Sequence, residues 1–320
     1  MRFGTFTIPD ELIGIVGGVV AGYLITNSQQ YKSYDTTTTT SVGLDKFGIK
    51  KLFPDYGPKW FARWDNGKPR TIKSTGTISV AKDPSDSMAK FLCLEYAKEK
   101  NMMSIDGKGE MRLQGMHPRL YVYDGSKKWL NTEMTCYCKL VSPMVVPGAY
   151  TTFRLCTRSN HHAITKCICN GTGYSSEFFL PAKDQRFRKE LTHPHYANWP
   201  FASPNPGLNV WFGQKFVVRN SGYNKVRLQC YIDLTDGLDG GDWQLVGEYT
   251  DDGNWPIESP KELANIATDV SKCRSGCLNP KPVSPYNRII TETGVASYLR
   301  TDYVNDIRFK KMSVREIAAG

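Results

Sequence analysis

The sequence predicts an all-β chain, a two-sheet antiparallel sandwich preceded by a short apolar N-terminal helix, and three observations predict it. After residue 31 few stretches longer than twelve residues keep helical apolar spacing. Several segments instead alternate apolar and polar residues with the period of two that half-buried strands require. The 28 Gly and 18 Pro are scattered along the chain, as turn residues between strands would be. With 40% apolar and 22% charged residues among 320, the composition is that of a folded protein and excludes disorder as the main state.

Residues 12–31 carry no charge, and 12–25 are mostly apolar. That is short of the roughly 20 apolar residues a membrane-spanning helix needs. Asp10 and Glu11 stand where a signal peptide would be basic, and no A-x-A-like site follows, so a cleaved signal does not fit. Gly14, Gly18 and Gly22 recur every four residues and would line one stripe of a helix, suiting an anchor in a membrane or homo-oligomeric assembly through helix packing. Residues 32–45, with five consecutive threonines, read as a linker, and 46–320 as the β domain.

Within that domain, residues 102–105 and 110–113 flank Asp106-Gly107-Lys108-Gly109 and read as a hairpin. Residues 129–140 and 226–233 alternate cleanly; Met134, Cys136, Cys138 and Leu140 share one face, as do Val226, Leu228, Cys230 and Ile232. Such strands are expected to bury one side only. Further strands are expected at 120–123, 150–158, 174–180, 211–219 and 243–249. Ile307 and Phe309 are out of phase with Met312 and Val314, which predicts a β-bulge at Lys310-Lys311.

The segments Y-I-D-L-T-D-G-L-D-G-G-D-W-Q-L-V (231–246) and V-N-D-I-R-F-K-K-M-S-V-R-E-I (304–317) resemble the concanavalin A-like, laminin G-like jelly rolls, and the likeness spans residues 46–320 as a strand pattern. The resemblance implies a jelly-roll sandwich. Its members include sugar-binding modules, family-sixteen-type glycoside hydrolases and alginate or heparin lyases. Of the lyase motifs R-[ST]-E, Q-[IV]-H and Y-F-K, the chain holds Arg158-Ser159-Asn160, with Asn in place of Glu, and the Phe-Lys of Arg308-Phe309-Lys310. The paired carboxylates E-x-D-x-x-E of the hydrolases are absent.

Forty-one Lys and Arg against 31 Asp and Glu give a net charge of +10, which favours acidic partners. The basic residues are dispersed and no helix-turn-helix, zinc-finger or RNP motif occurs, so nucleic acid is not the expected partner; acidic polysaccharide is. Reactive side chains concentrate at 158–162 and 186–195. Cleavage of a uronic-acid polymer by β-elimination needs a cation on the carboxylate, a base for the C5 proton and an acid for the leaving oxygen. Arg158, His161, His162, Lys189 and Tyr231 are the catalytic candidates; Arg188, His193, Arg227, Gln229 and Trp199 are the substrate-binding candidates. Trp211 and Trp255 are further aromatics able to stack on sugars.

No cofactor is required by this chemistry. Asp233, Asp236, Asp239 and Asp242 surround Gly237, Gly240 and Gly241 in a loop that offers hard oxygen ligands for calcium, although Asp and Gly are equally the residues of a wide turn. His161, His162, Glu190, His193 and His195, near Cys167 and Cys169, include zinc-ligand types without a signature spacing. Nine cysteines, clustered as Cys136/Cys138, Cys167/Cys169 and Cys273/Cys277, allow short disulfides or soft-metal binding, with disulfides favoured in an extracellular or cell-surface domain and the odd count leaving at least one thiol unpaired. Asn170-Gly171-Thr172 is a glycosylation sequon. The rival to polysaccharide recognition is a structural subunit of a surface appendage or envelope, assembled through the N-terminal helix.

Overall fold

Alternation in the sequence becomes strand pairing over most of the chain. The computed structural model describes residues 42–320 apart from 74–77, 95–100, 124, 127, 161–171, 181–183, 193–194, 205 and 256–287. The helix expected at the N-terminus and the part of the expected linker up to residue 41 lie outside the described residues. The described residues form a two-sheet antiparallel sandwich of jelly-roll type.

In the first sheet β15 (Gln244–Asp251), β14 (Val226–Asp233), β13 (Phe212–Asn220), β8 (Thr132–Pro143), β17 (Val304–Ile317), β6 (Glu110–Gly115), β5 (Met102–Ile105) and β2 (Arg70–Lys73) follow one another. The first half of β17 pairs with β6, and its second half pairs with β1 (Asp55–Phe61). The change of phase falls where the sequence placed it: the register against β8 shifts between Lys310 and Ser313, and Lys311 adopts φ 52°. The second sheet runs β12 (His195–Ala202), β11 (Asp184–Thr192), β10 (Gly173–Leu180), β9 (Thr151–Ser159), β16 (Ala296–Asp302), β7 (Arg119–Val122), β4 (Asp86–Leu94) and β3 (Ile78–Asp83). Tyr303 alone separates β16 from β17, and its φ of 55° turns the chain from one sheet into the other.

One apolar core fills the space between the sheets. Met134, Cys136, Cys138 and Leu140 of β8 meet Phe153 and Leu155 of β9, Phe178 of β10, Phe212 and Phe216 of β13 and Phe309 of β17. Cys136 and Cys138 are free thiols in that core, so the disulfide expected between them is not formed; burial raises both thiols well above the ordinary range. Cys167, Cys169, Cys273 and Cys277 lie outside the described residues.

The expectation that the alternating strands bury one side only needs correction for the first sheet. Its outer face is covered by residues 47–53 and by the 234–243 loop, where Ile49, Leu52 and Trp243 pack over Tyr137, Val217, Tyr231 and Ile317. Gly213 makes room for this cover, since a Cβ there would stand 2.7 Å from the Trp243 ring and 2.9 Å from Tyr137. Beneath it Glu133 accepts a hydrogen bond from Lys215 at 2.7 Å, is ion-paired to Arg315 at 2.6 Å, and takes the backbone N–H groups of Leu52 and Phe53 at 3.1 Å. The carboxylate thereby ties the covering segment to the sheet. Removing either sign of charge from so buried a group leaves the other uncompensated.

Candidate functional site

The outer face of the second sheet differs in kind from its inner face. Along β9 the inward side chains are Phe153, Leu155 and Thr157, which leaves Thr152, Arg154 and Cys156 facing outward. Antiparallel register then lines up residues far apart in sequence. Arg119 of β7 is opposite Arg300 of β16, Arg300 is opposite Arg154 of β9, and Arg154 is opposite Glu177 of β10. Arg186 of β11 closes this row against Glu177. At about 4.8 Å per strand, the three adjacent guanidinium-bearing residues span about 10 Å across the sheet.

A parallel row, two residues further along each strand, contains Tyr121, Tyr298, Cys156, Ser175 and Arg188. The Tyr121 and Tyr298 rings stand 5.0 Å apart. Burial pushes the Cys156 thiol up to about 12, so it is no nucleophile at neutral pH. On the other flank His117 Nδ1 is 2.7 Å from Asp302 Oδ1, and Asp302 is opposite Thr152 of β9.

Like charges directly opposite one another on a sheet repel, and two carboxylates offset this row. Glu177 is ion-paired to Arg154, to Arg186 at 2.6 Å and to Arg188 at 3.0 Å. Its burial opposes ionisation, but the Arg154, Arg188 and Arg186 guanidiniums outweigh that and hold the carboxyl down at about 2. Asp302 accepts Arg300 Nε at 2.7 Å and Thr152 Oγ1 at 2.9 Å. Burial again opposes its charge, and Arg300, His117 and Arg154 hold it well below the usual carboxylate range.

Arg119 is different. It is 1% exposed, and among the described residues its Nε and Nη1 meet no acceptor. A buried donor without a partner costs about 1–3 kcal/mol, more when charged, so this guanidinium is set up for an acceptor that the described fold does not supply. The two nitrogens lie on opposite edges of the guanidinium, so each calls for its own acceptor oxygen.

The residues singled out from sequence are distributed over three places. Arg188 is on the arginine-bearing face, paired with Glu177. Lys189 points between the sheets, fully buried, 3.0 Å from Asp251 and 2.9 Å from the Arg288 carbonyl, with the Trp255 ring 5.0 Å away. Trp199 also faces inward and packs on Tyr249 at 4.5 Å. Tyr231, Arg227 and Gln229 lie on the outer face of the first sheet, on the far side of the sandwich. Burial pushes the Tyr231 phenol up to about 12, and Arg227 and Gln229 both bind Glu248, at 2.8 and 2.7 Å.

Arg158 is buried and saturated. It donates to the carbonyls of Leu130 at 2.6 Å and Ile290 at 2.7 Å and to Asn131 Oδ1 at 3.2 Å, and burial pulls it down to about 10. Its φ of 52° and the close passage of Gly294, where a Cβ would stand 2.0 Å from the Arg158 carbonyl carbon, mark a bulge that joins strand ends. His161, His162 and His193 lie outside the described residues, as do Cys167, Cys169 and the side chain of His195.

The acidic loop organises itself. Asp233 accepts Tyr137 Oη, the hydroxyl and N–H of Thr235, and the N–H groups of Gly237 and Asp242, which fills both oxygens. Asp236 is paired with Lys310 at 2.7 Å. Among the described residues no group of three or more His, Cys, Asp or Glu side chains is arranged to hold a metal ion, so the calcium ligands expected at Asp233, Asp236, Asp239 and Asp242 are not assembled. Cavities of about 400 and 280 Å³ are lined by Lys59 and Trp60 of β1 and by Trp64 and Lys108 respectively; they include no member of the arginine row.

No family model matches the sequence, and no curated protein matches it. Similar solved structures include an endo-1,3-β-glucanase from Streptomyces sioyaensis, at 9% identity and TM-score 0.41 over 89% of this chain and 100% of that one. A protein of unknown function with a galectin-like fold from Bacillus subtilis aligns at 11% identity and TM-score 0.40 over 78% and 100%. An endo-β-1,4-glucuronan lyase from Trichoderma reesei aligns at 7% and 0.33 over 80% and 90%. At such scores these structures carry no argument about substrate or chemistry, and function has to be read from this chain's own residues.

Proposed function

We propose that this domain recognises acidic polysaccharide, of the polyuronate class, on the outer face of the second sheet and cleaves it by β-elimination. The proposed setting is outside the cell or at its surface, with the N-terminal residues as anchor. One observation carries the reading: Arg119, Arg300 and Arg154 stand in register on three neighbouring strands, and Arg119 keeps two buried N–H groups without an acceptor among the described residues. A carboxylate oxygen would satisfy one of them. Repeated cations one strand apart suit a polymer with a charge on each residue better than an isolated anion.

The test is retention of the full chain on immobilised polyuronate compared with a neutral glucan, with Arg119→Ala alongside. Loss of a charge-assisted contact costs about 1.5–3 kcal/mol, or roughly ten- to a hundredfold in affinity. Equal retention of the two proteins would remove Arg119 from the site. Equal retention on charged and neutral polymers would remove the polyuronate reading, and sedimentation as a polymer with no retention would favour the structural-subunit alternative.

A further inference from the structure

Resting on that polyuronate reading, the geometry points to His117 as the base that removes the C5 proton, with Asp302 as its positioning residue and Arg119 as the carboxylate clamp. His117 belongs to the segment joining β6 to β7, and its contact with Asp302, two residues along β16 from the Arg300 that stands opposite Arg119, puts it on the arginine-bearing face. The dyad is well defined. Asp302 is ionised, since Arg300, His117 and Arg154 outweigh its burial. An ionised carboxylate only accepts, so the 2.7 Å contact makes His117 Nδ1 the donor and leaves Nε2 as the basic nitrogen.

The ring is held on its other side by Tyr303, edge-on at 5.1 Å, whose positive φ fixes the turn between the sheets. Thr152 occupies the remaining oxygen of Asp302 at 2.9 Å, so the carboxylate cannot rotate away from the imidazole without losing a bond. With 18% of its side chain exposed, His117 is more accessible than the arginine beside it. The arrangement thus places a partly exposed base on the face that carries the arginine row, the two kinds of group that remove and acidify a proton α to a uronate.

The step balances within the substrate and this one side chain. Arg119 binds the carboxylate and stabilises the enolate-like charge that develops on it. His117 Nε2 takes the C5 proton, the C5–H electron pair becomes the C4=C5 double bond, and the C4–O bond breaks. The departing oxygen takes the proton back from the imidazolium, which returns His117 to its neutral form and leaves an unsaturated sugar at the new non-reducing end. No oxidant, metal or second reactant is consumed.

The experiment incubates the full chain with polymannuronate, polyguluronate, polyglucuronate and polygalacturonate, recording both retention and the near-ultraviolet absorbance of the unsaturated product. His117→Ala and His117→Gln are compared with the parent, with melting curves as a fold control. The expected result is turnover by the parent on at least one polymer, a loss of about 10²-fold or more in both variants with retention preserved, and partial recovery of His117→Ala by added imidazole. Asp302→Asn is expected to lower turnover with retention kept; if it unfolds, the imidazole rescue of His117→Ala still decides. Retention by the parent without any unsaturated product overturns the assignment while leaving recognition intact. Turnover by His117→Ala within a few-fold of the parent overturns it too, and absence of retention on every polymer sinks the polyuronate reading and the assignment together.

Discussion

Replacing Glu177 by Gln keeps the shape of the side chain but strips the carboxylate to which Arg154, Arg186 and Arg188 are all ion-paired. Two routes give the size of the effect. The fall of the carboxyl from its ordinary 4.5 to about 2 corresponds to about 3 kcal/mol of stability at neutral pH, for a group that is 1% exposed. Removing one partner of a buried ion pair costs about 3–5 kcal/mol by general experience. A loss of about 3 kcal/mol in a domain of this size lowers the melting temperature by roughly 6–12 °C. Because the folded carboxyl is depressed, the stability it contributes is fully present above pH 4.5 and is lost as the pH falls through 2. Circular-dichroism melts of parent and Glu177→Gln at pH 7, 3 and 2 should therefore show a gap that narrows to less than half by pH 3 and nearly closes at pH 2. Coincident melts at pH 7, or a gap unchanged at pH 2, would refute the account of Glu177 as the charge that balances the row.

Arg119→Met should melt at or above the parent's temperature without ligand, since it removes buried donors that have no partner among the described residues, while losing roughly tenfold or more in polyuronate retention; a clear destabilisation would mean the guanidinium is structurally bound. Glu133→Gln should cost about 3–5 kcal/mol by urea unfolding and leave retention unchanged, because it lies under the covering segment of the other sheet. Gly294→Ala should destabilise by several kcal/mol, as its Cβ would meet the Arg158 backbone at 2.0 Å; an unaffected melting curve would mean the bulge can move aside.

The strands with clean alternation were legible because period two is a local property: β8, β14 and the β5–β6 hairpin form where expected, and the bulge near Lys310 follows from a phase change visible in the letters. The cover over the first sheet was not, since Ile49 and Leu52 reveal nothing in sequence about which surface they meet. The arginine face was missed for the same reason. R-L-Y at 119–121 and Y-L-R-T-D at 298–302 each show a polar residue at alternate positions, a signal of an outward face, but nothing local says that Arg119 stands opposite Arg300. Clustering along the chain drew attention instead to Arg158, which a carbonyl-lined bulge absorbs, and to Lys189, which the opposite parity turns inward to Asp251.

The arginine row also makes the site a gauge of correct assembly. Its members come from β7, β9 and β16, whose positions in sequence are separated by most of the domain, and they coincide only because each strand is paired at one particular offset. A one-residue slip of β7 would send Arg119 into the apolar interior and bring Leu120 out, so that misregistered chain loses stability and the cationic row in a single event. Partial folding should then yield no weakly binding species: a preparation fractionated on an acidic polymer would separate into molecules of native affinity and molecules of none, and the bound fraction would count the correctly registered ones.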